Sequence, residues 1–373
     1  MNRNSLYVFY GNQKVGRLAQ LPDHRVAFEY DPLWIQNGFS ISPLSLPLRP
    51  GVMISDHYDP FDGLFGVFAD SLPGRWGRML TNRMLKRHGI NPESINVLDR
   101  LSIVGDSGIG ALEYRPKFQF ETESGNPDLE ELVKECKRIT EGKDDQKQDA
   151  LQLGYTLGGS RPKACLLLQN QSWIVKFAGL HEPKEIGQEE YDYHSCAREC
   201  GLNVSEIQLL PLRFHKGYFA FRRFDRSGAE KIHIVSAGTL LETSHHIPDL
   251  DYIMLMKLTR FLTRSNADCW QLYDRMCFNV FSHNRDDHAK NFSFLFENGC
   301  WHLSPVYDLT YSNSWLGEHA TTVNGKGKDI RMEDLLIVAK TGFLDMKEAG
   351  QRAAKIKSIV EKRLAFYLNR PSR

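Results

Sequence analysis

The feature that most constrains this chain is a change of hydrophobic period along its length. Apolar residues alternate with polar ones in SLYVFY, in KVGRLAQL after the turn Gly11-Asn12, and in VAFEY after Asp23, so residues 5–31 read as a small β meander. From Phe61 to Ile90 the spacing turns helical, with Leu72, Trp76, Leu80, Met84 and Leu85 on one side and arginines between them. Strand spacing returns in ACLLLQ (164–169) and WIVKFAG (173–179), a predicted hairpin about Asn170-Gln171-Ser172. A helix is expected from Gln188 to Cys200, stopped by Gly201, and then two strands, VSEIQLLPL and GYFAFRRF, ending in a polar loop from Asp225 to Ala229. Beyond residue 236 the pattern is mostly helical, over Asp251–Leu262, Cys269–Ser282 and Arg331–Leu368. A β-rich part followed by an α-rich part predicts a two-lobed α+β fold behind a small β-rich N-terminal subdomain.

Charge and polarity rise and aromatics vanish between residues 121 and 150, which places a boundary there with one amphipathic helix inside it. The expected organisation is therefore 1–120, a charged linker over 121–150, a mixed segment over 151–228 and a helical segment over 229–373. At 373 residues, 41% hydrophobic and 25% charged, the chain has the composition of a soluble globular protein. Its net charge of +1 supplies no overall field toward nucleic acid or an anionic membrane. No run of about 18 apolar residues offers a membrane span, and the start MNRNSLYVFYGNQ has no apolar leader core, so a cytoplasmic location is expected. Seven cysteines, odd in number and without a CxxC pair, fit reduced thiols; Cys196 and Cys200 read as buried thiols of a helix face rather than a metal pair.

The densest polar cluster is HNRDDHAKNFSFLF, residues 283–296, between an apolar helix and a strand. Asp286, Asn291 after four intervening residues and Asp308 in SPVYDLTYS form a set with a use in phosphoryl transfer. One carboxylate can orient an attacking hydroxyl, while an amide oxygen and a second carboxylate hold Mg²⁺. RDxxxxN alone serves equally as a helix cap or a solvated loop. Upstream, Gly154-Tyr155-Thr156-Leu157-Gly158-Gly159-Ser160-Arg161-Pro162-Lys163 precedes a strand; glycines allow close approach of backbone N–H groups to a phosphate, and Ser160, Arg161 and Lys163 add donors and charge. It matches neither a Walker loop nor GxGxxG, and a plain turn is the simpler reading of it alone. Lys176 lies inside the apolar run WIVKFAG, where an ammonium must reach an edge or meet an anion. Glycine loop, strand, turn and strand lysine resemble the ATP-binding half of a protein kinase, with Glu190, ahead of Glu189, as the helix partner of Lys176.

These motifs together resemble the HipA family of bacterial toxin kinases: YTLGGSRPKA, IVKF, RRFDR (222–226), NRDDHAKNFS and PVYDL, with KVGRLAQ, LSLPLRPG, DSLPGRWG and GDSGIGAL in the N-terminal part. The resemblance covers nearly the whole chain. It implies a protein-kinase-like fold, Asp286 as the base that orients a substrate hydroxyl, Asn291 and Asp308 as Mg²⁺ ligands, and Lys176 on the ATP phosphates. It further implies that the glycine loop with Gly158, Gly159, Ser160 and Lys163 covers ATP, that Arg222 and Phe224 meet the adenine edge through their backbones, and that Asp225 meets the ribose. His288 and Lys290 match the family pattern as phosphate contacts or loop-shaping residues. Family members self-phosphorylate a glycine-loop serine at the position of Thr156, with Ser160 nearby. As a family member this chain would be the Ser/Thr kinase toxin of a type II toxin–antitoxin pair. Its substrate would be a translation component such as an aminoacyl-tRNA synthetase, its restraint a helix-turn-helix antitoxin of HipB type, and its contact with DNA largely indirect.

Two other readings of the same residues stand beside this one. The first is a catalytically weak ATP-binding subunit of a repressor complex. The second is a metal-dependent phosphohydrolase built on His283, Asp286, Asp287 and His288, although no second cluster supplies further ligands. Gly105, Gly108 and Gly110 read as tight turns set apart from the lysine and carboxylates. Residues 347–373 hold eight basic and two acidic residues and read first as a solvated helix face, second as a nucleic-acid patch.

Overall fold

A computed structural model describes residues 3–120, 128–143, 153–180, 182–183, 185–212, 215–243, 249–314 and 316–370. In chain order the elements are β1 (Ser5–Tyr10), β2 (Gln13–Gln20), β3 (Val26–Tyr30), α1 (Pro32–Asn37), β4 (Val52–Ile54), α2 (Gly66–Ala69), α3 (Arg75–Arg87), α4 (Val97–Val104), β5 (Leu112–Arg115) and α5 (Leu129–Thr140). They continue as β6 (Lys163–Leu168), β7 (Gln171–Lys176), α6 (Ile186–Glu199), β8 (Ile207–Leu212), β9 (His215–Arg222), β10 (Arg226–Ser227), β11 (Glu230–Lys231), β12 (His233–Ser236) and α7 (Ala237–Leu240). The last are α8 (Tyr252–Thr263), α9 (Asn266–Ser282), a 3₁₀ turn (Ala289–Asn291), β13 (Ser293–Glu297), β14 (Cys300–Leu303), α10 (Met332–Thr341), α11 (Met346–Arg363) and α12 (Ala365–Leu368). The chain divides into two compact units, Met1–Gly187 with Leu209–Val235, and Gln188–Gln208 with Ser236–Arg373.

The first unit holds a five-stranded sheet, a four-stranded sheet and a two-stranded ladder. The predicted meander is there as β1, β2 and β3, joined through Gly11 at φ 56°, and the sheet runs β4-β3-β2-β1-β5 with antiparallel pairing. Its inward residues, Leu6, Val8, Val15, Leu18, Val26 and Phe28, are buried as the alternation requires. β4 and β5 went unpredicted because three or four residues are too short to display a period. The second sheet runs β6-β7-β9-β8. The β6–β7 turn is Gln169-Asn170, both left-handed (φ 50° and 61°), not residues 170–172; β7 therefore starts at Gln171 and ends on Lys176. The Asp225–Ala229 loop also contains paired residues, since β10 and β11 form a short antiparallel ladder. One apolar cluster ties α3 and α5 to the second sheet: Trp76, Leu80, Met84, Leu132, Cys136 and Ile139 pack with Ala164, Trp173, Val175, Phe177, Tyr218 and Ala220. Helix α5 lies within the 121–150 boundary segment, the rest of which, apart from residues 128 and 141–143, is outside the described residues.

The second unit is mainly helical. Helix α8 is capped by Asp251, whose Oδ1 accepts from Ile253 N, and α9 by Ser265; both end on a left-handed residue, Arg264 (φ 52°) and His283 (φ 56°). Predicted as one stretch, Arg331–Leu368 is three helices, broken where Asp345 caps α11. The seven cysteines are all free thiols, and Cys196 and Cys200 are buried. No helix of the described residues is long and apolar enough to cross a membrane.

Candidate active site

In the first unit, the glycine-rich segment is fastened to the start of α3. Gly74 N donates to Leu157 O (3.2 Å) and Trp76 N to Gly159 O (3.3 Å), so loop carbonyls satisfy N–H groups that a helix start leaves without an internal acceptor. The Trp76 indole Nε1 donates to Lys163 O (3.0 Å) and Thr81 Oγ1 reaches Tyr155 O (3.3 Å). Contact is close enough that only glycine fits: a Cβ on Gly74 would lie 2.2 Å from Gly159 N, and one on Gly77 2.7 Å from Tyr155 O. The motif DSLPGRWG is thus the bed of the loop.

Within the loop, Gly159 is exposed at φ +82°, and a Cβ there would meet Lys163 Nζ at 2.4 Å, which places that ammonium against the loop. Gly158 is half-buried beside Ile109, and Ser160 is exposed. Thr156 is buried, and its hydroxyl donates to Ser107 O (2.9 Å). Arg161 Nε donates to Glu182 (3.0 Å). Lys176 is 5% exposed at the end of β7, with Nζ 5.9 Å from the Phe219 ring centre and 5.8 Å from that of Phe221. Arg222 is exposed, Phe224 half-buried, and Arg222 donates to Gln171 Oε1 (3.2 Å).

Asp225 is the most heavily bonded carboxylate of the first unit. Oδ1 accepts from Arg223 Nε (2.9 Å); Oδ2 accepts from Arg223 Nη2 (2.7 Å), Arg226 Nη1 (2.9 Å) and Gly110 N (2.8 Å). Burial pushes its pKa up, but Arg223 and Arg226 outweigh that and hold it at about 2. Arg223 and Arg226 also donate to Gly108 O. The segment 107–110, expected to lie apart from the site, therefore sits on the glycine loop and on Asp225; sequence distance concealed a contact made by side chains from two far-separated turns.

In the second unit, the loop after α9 presents alternate residues to opposite sides. Asp286 points outward, with 58% of its side chain exposed, 3.9 Å from His288 Nε2. Asp287 is buried: it accepts from Tyr252 OH (2.9 Å), His319 Nδ1 (3.0 Å) and Thr321 N (3.2 Å). Burial, with the Asp287 charge, lifts the Tyr252 phenol well above its usual range, so it stays a donor. Asn279 Nδ2 donates to Tyr252 OH, and Asn284 Nδ2 to Asn279 Oδ1, which completes a buried polar chain beneath the loop. None of this was readable from HNRDDHAKN, because Tyr252, His319 and Thr321 are more than thirty residues from Asp287 in either direction.

Asn291, in the 3₁₀ turn, donates Nδ2 to Asp286 O (2.7 Å), which fixes its amide with Oδ1 as the remaining oxygen. Tyr307 OH donates to Lys290 O (2.6 Å) and pairs with Ser293 Oγ (2.6 Å). The neighbours of those residues, Asp308 and Asn291, are thereby held in one region; Asp308 is half-buried at φ 59°. On α6, Glu189 is spent on Thr310 Oγ1 (3.0 Å) and Arg370 (2.9 Å), while Glu190 is buried. His283, Asp286, Asp287 and His288 do not gather: among the described residues no group of three or more His, Cys, Asp and Glu is placed to hold a metal ion.

The fold is mixed α/β, with a buried strand-borne lysine in the first unit and, in the second, an outward carboxylate ahead of an amide and a second carboxylate. The description "HipA N-terminal domain" matches residues 6–115 and "HipA-like C-terminal domain" residues 155–365. The chain belongs to the HipA family. It is 24% identical over 351 residues to "Putative kinase Y4dM" of Sinorhizobium fredii, covering 84% of this chain and 79% of that one. It is likewise 24% identical over 335 residues to "Putative kinase Y4mE" of the same organism, covering 82% and 76%. Among solved structures it is similar to that of Shewanella oneidensis HipA with HipB and operator DNA, with a TM-score of 0.72 at 18% identity over 99% of this chain and 92% of that one. That likeness fixes the fold.

Proposed function

We propose that this protein is an ATP- and Mg²⁺-dependent Ser/Thr protein kinase acting as the toxin of a type II toxin–antitoxin pair. The observation that carries the reading is the placement of Asp286: an exposed carboxylate on a loop whose next residue is anchored by three buried donors and whose own carbonyl holds Asn291. A general base needs that combination of access and fixed direction. Asp286 would accept the proton of the substrate hydroxyl as that oxygen attacks the γ-phosphate.

Asn291 Oδ1 and the Asp308 carboxylate are hard oxygen donors of the kind Mg²⁺ prefers, and they would hold the metal. Bound there, the metal neutralises charge on the phosphates. Lys163 and Lys176 would draw the phosphate chain, with Gly158, Gly159 and Ser160 offering backbone and hydroxyl donors, and His288 and Lys290 flanking it. Glu189 bonds Thr310 and Arg370, and Glu190, ahead of Glu189, would be the helix partner of Lys176 that the family resemblance implies. Arg222 and Phe224 keep their proposed place at the adenine. Asp225 fits a different part, since every oxygen already has an intramolecular donor: it joins 108–110 to 223–226 and holds the adenine segment in place. Residues 151–228 would thus hold the nucleotide and 229–373 the acceptor.

Of the two autophosphorylation candidates, Ser160 is accessible as the loop stands, whereas Thr156 requires release of its bond to Ser107. The HipB in the Shewanella complex supports a HipB-type antitoxin as the partner. A translation component such as an aminoacyl-tRNA synthetase is the substrate class that family membership favours.

Purified protein given γ-labelled ATP should transfer label to itself or to a protein in a cell extract, and EDTA should abolish the transfer. Label transfer undiminished by chelation would sink the metal assignment. Gly74→Ala should raise KM for ATP about tenfold with a smaller effect on kcat, because the added Cβ displaces Gly159 rather than Asp286. Initial rates against ATP concentration check this.

A further inference from the structure

The outer face of α3 carries a groove of about 390 Å³ lined by Arg75, Arg78, Met79, Asn82, Arg83 and Lys86. Its floor is the helix that grips the glycine loop; its rim is cationic. The helix contains no acidic residue. Arg83 donates to Ile139 O (3.0 Å) and Lys143 O (3.3 Å), both backbone acceptors, and no described carboxylate pairs with it. Arg75, Arg78 and Lys86 are exposed and form no ion pair with any described carboxylate. Arg100 adds to the same side by donating to Asn82 Oδ1 (3.2 Å), and its pKa is lowered by burial and by repulsion from Arg78.

In α11 and the residues that follow it, Arg352 pairs with Asp274 and Glu348, Lys357 with Glu361, Arg363 with Glu199 and Arg370 with Glu189. Four of that stretch's seven described cations are thus paired within the fold. On the α3 face, Arg75, Arg78, Arg83 and Lys86 have no such pair with a described carboxylate.

We infer that the α3 groove binds a nucleic-acid phosphate backbone directly. From Arg75 to Lys86 the helix advances about 16 Å, several times the roughly 3.4 Å of duplex axis per phosphate of one strand, so the row suits a polyanion and is too long for a single phosphate. Three of the four cations are arginines, whose planar forks bind phosphate oxygens in pairs. Neither catalysis nor the glycine loop uses these side chains.

The test is anisotropy of a labelled 20-base-pair duplex of mixed sequence between 50 and 200 mM salt. The three exposed cations, Arg75, Arg78 and Lys86, predict a log–log salt slope of about −2.7, hence an affinity loss of about 40-fold across that range. Arg75→Ala with Arg78→Ala should flatten the slope to about −0.9, a loss of roughly 3.5-fold. Arg75→Lys with Arg78→Lys, which keeps the charge, should retain the full slope, and Lys355→Ala with Lys362→Ala on α11 should leave it unchanged. A double-alanine variant that binds duplex as wild type does would overturn the inference. So would a slope lost in the α11 variant instead, or capture of labelled polyglutamate without any binding of duplex, which would reassign the groove to an acidic protein.

Discussion

Replacing Asp286 with alanine is expected to lower the rate of phosphoryl transfer by about 10³-fold, within the 10²–10⁴ that a positioned general base contributes. The melting temperature should stay within about 2 °C of wild type, because the side chain is mostly exposed and an exposed substitution away from structural features costs less than about 0.5 kcal/mol. Label transfer and a thermal melt on the same preparation separate the two effects. A variant that keeps wild-type transfer would remove Asp286 from the chemistry. One that melts far below wild type would show that the carboxylate carries structure.

Asp225→Ala should do the reverse. Removing this carboxylate leaves the Arg223 guanidinium buried with its main counter-charge gone, a situation that costs about 3–5 kcal/mol. A drop of roughly 10 °C in melting temperature follows for a unit of this size. Changing the partner as well, with Arg223→Met and Asp225→Leu, should recover part of the loss, since an apolar pair leaves no charge stranded. The same carboxylate sets an acid limit. Its folded pKa of about 2 lies below the unfolded value near 3.9, so its contribution is fully present above about pH 4 and is lost as pH falls toward 2. That contribution is about 2–3 kcal/mol. About half of it should be gone by pH 3, which chemical denaturation at pH 6 and pH 3 measures, and Asp225→Asn should remove the difference that this residue makes.

Strands β1 to β3, the β6–β7 hairpin and helices α3, α8 and α9 were legible because each displays its period over enough residues to stand out. The turn at Gln169-Asn170 was misplaced by one or two residues, since left-handed φ at a non-glycine pair carries no apolar signal. Motif spacing brought Asp286, Asn291 and Asp308 forward together, and the side chains that hold that region were invisible for a single reason. Tyr252, His319 and Tyr307 act through polar contacts across long sequence separations, and nothing in a local window distinguishes them from other buried aromatics and histidines. The same holds for Asp225, whose neighbours Arg223 and Arg226 are adjacent in sequence yet whose third donor, Gly110 N, arrives from more than a hundred residues away.

The family's two matched stretches, 6–115 and 155–365, look like separable pieces on paper. The floor shared by Trp76, Leu80 and Met84 with Trp173, Val175 and Phe177 argues otherwise. Severing the chain anywhere between those stretches would strip one fragment of its tryptophan-lined underside and strand α3 on the other, so evolution and the protein engineer alike must carry them as a single inheritance.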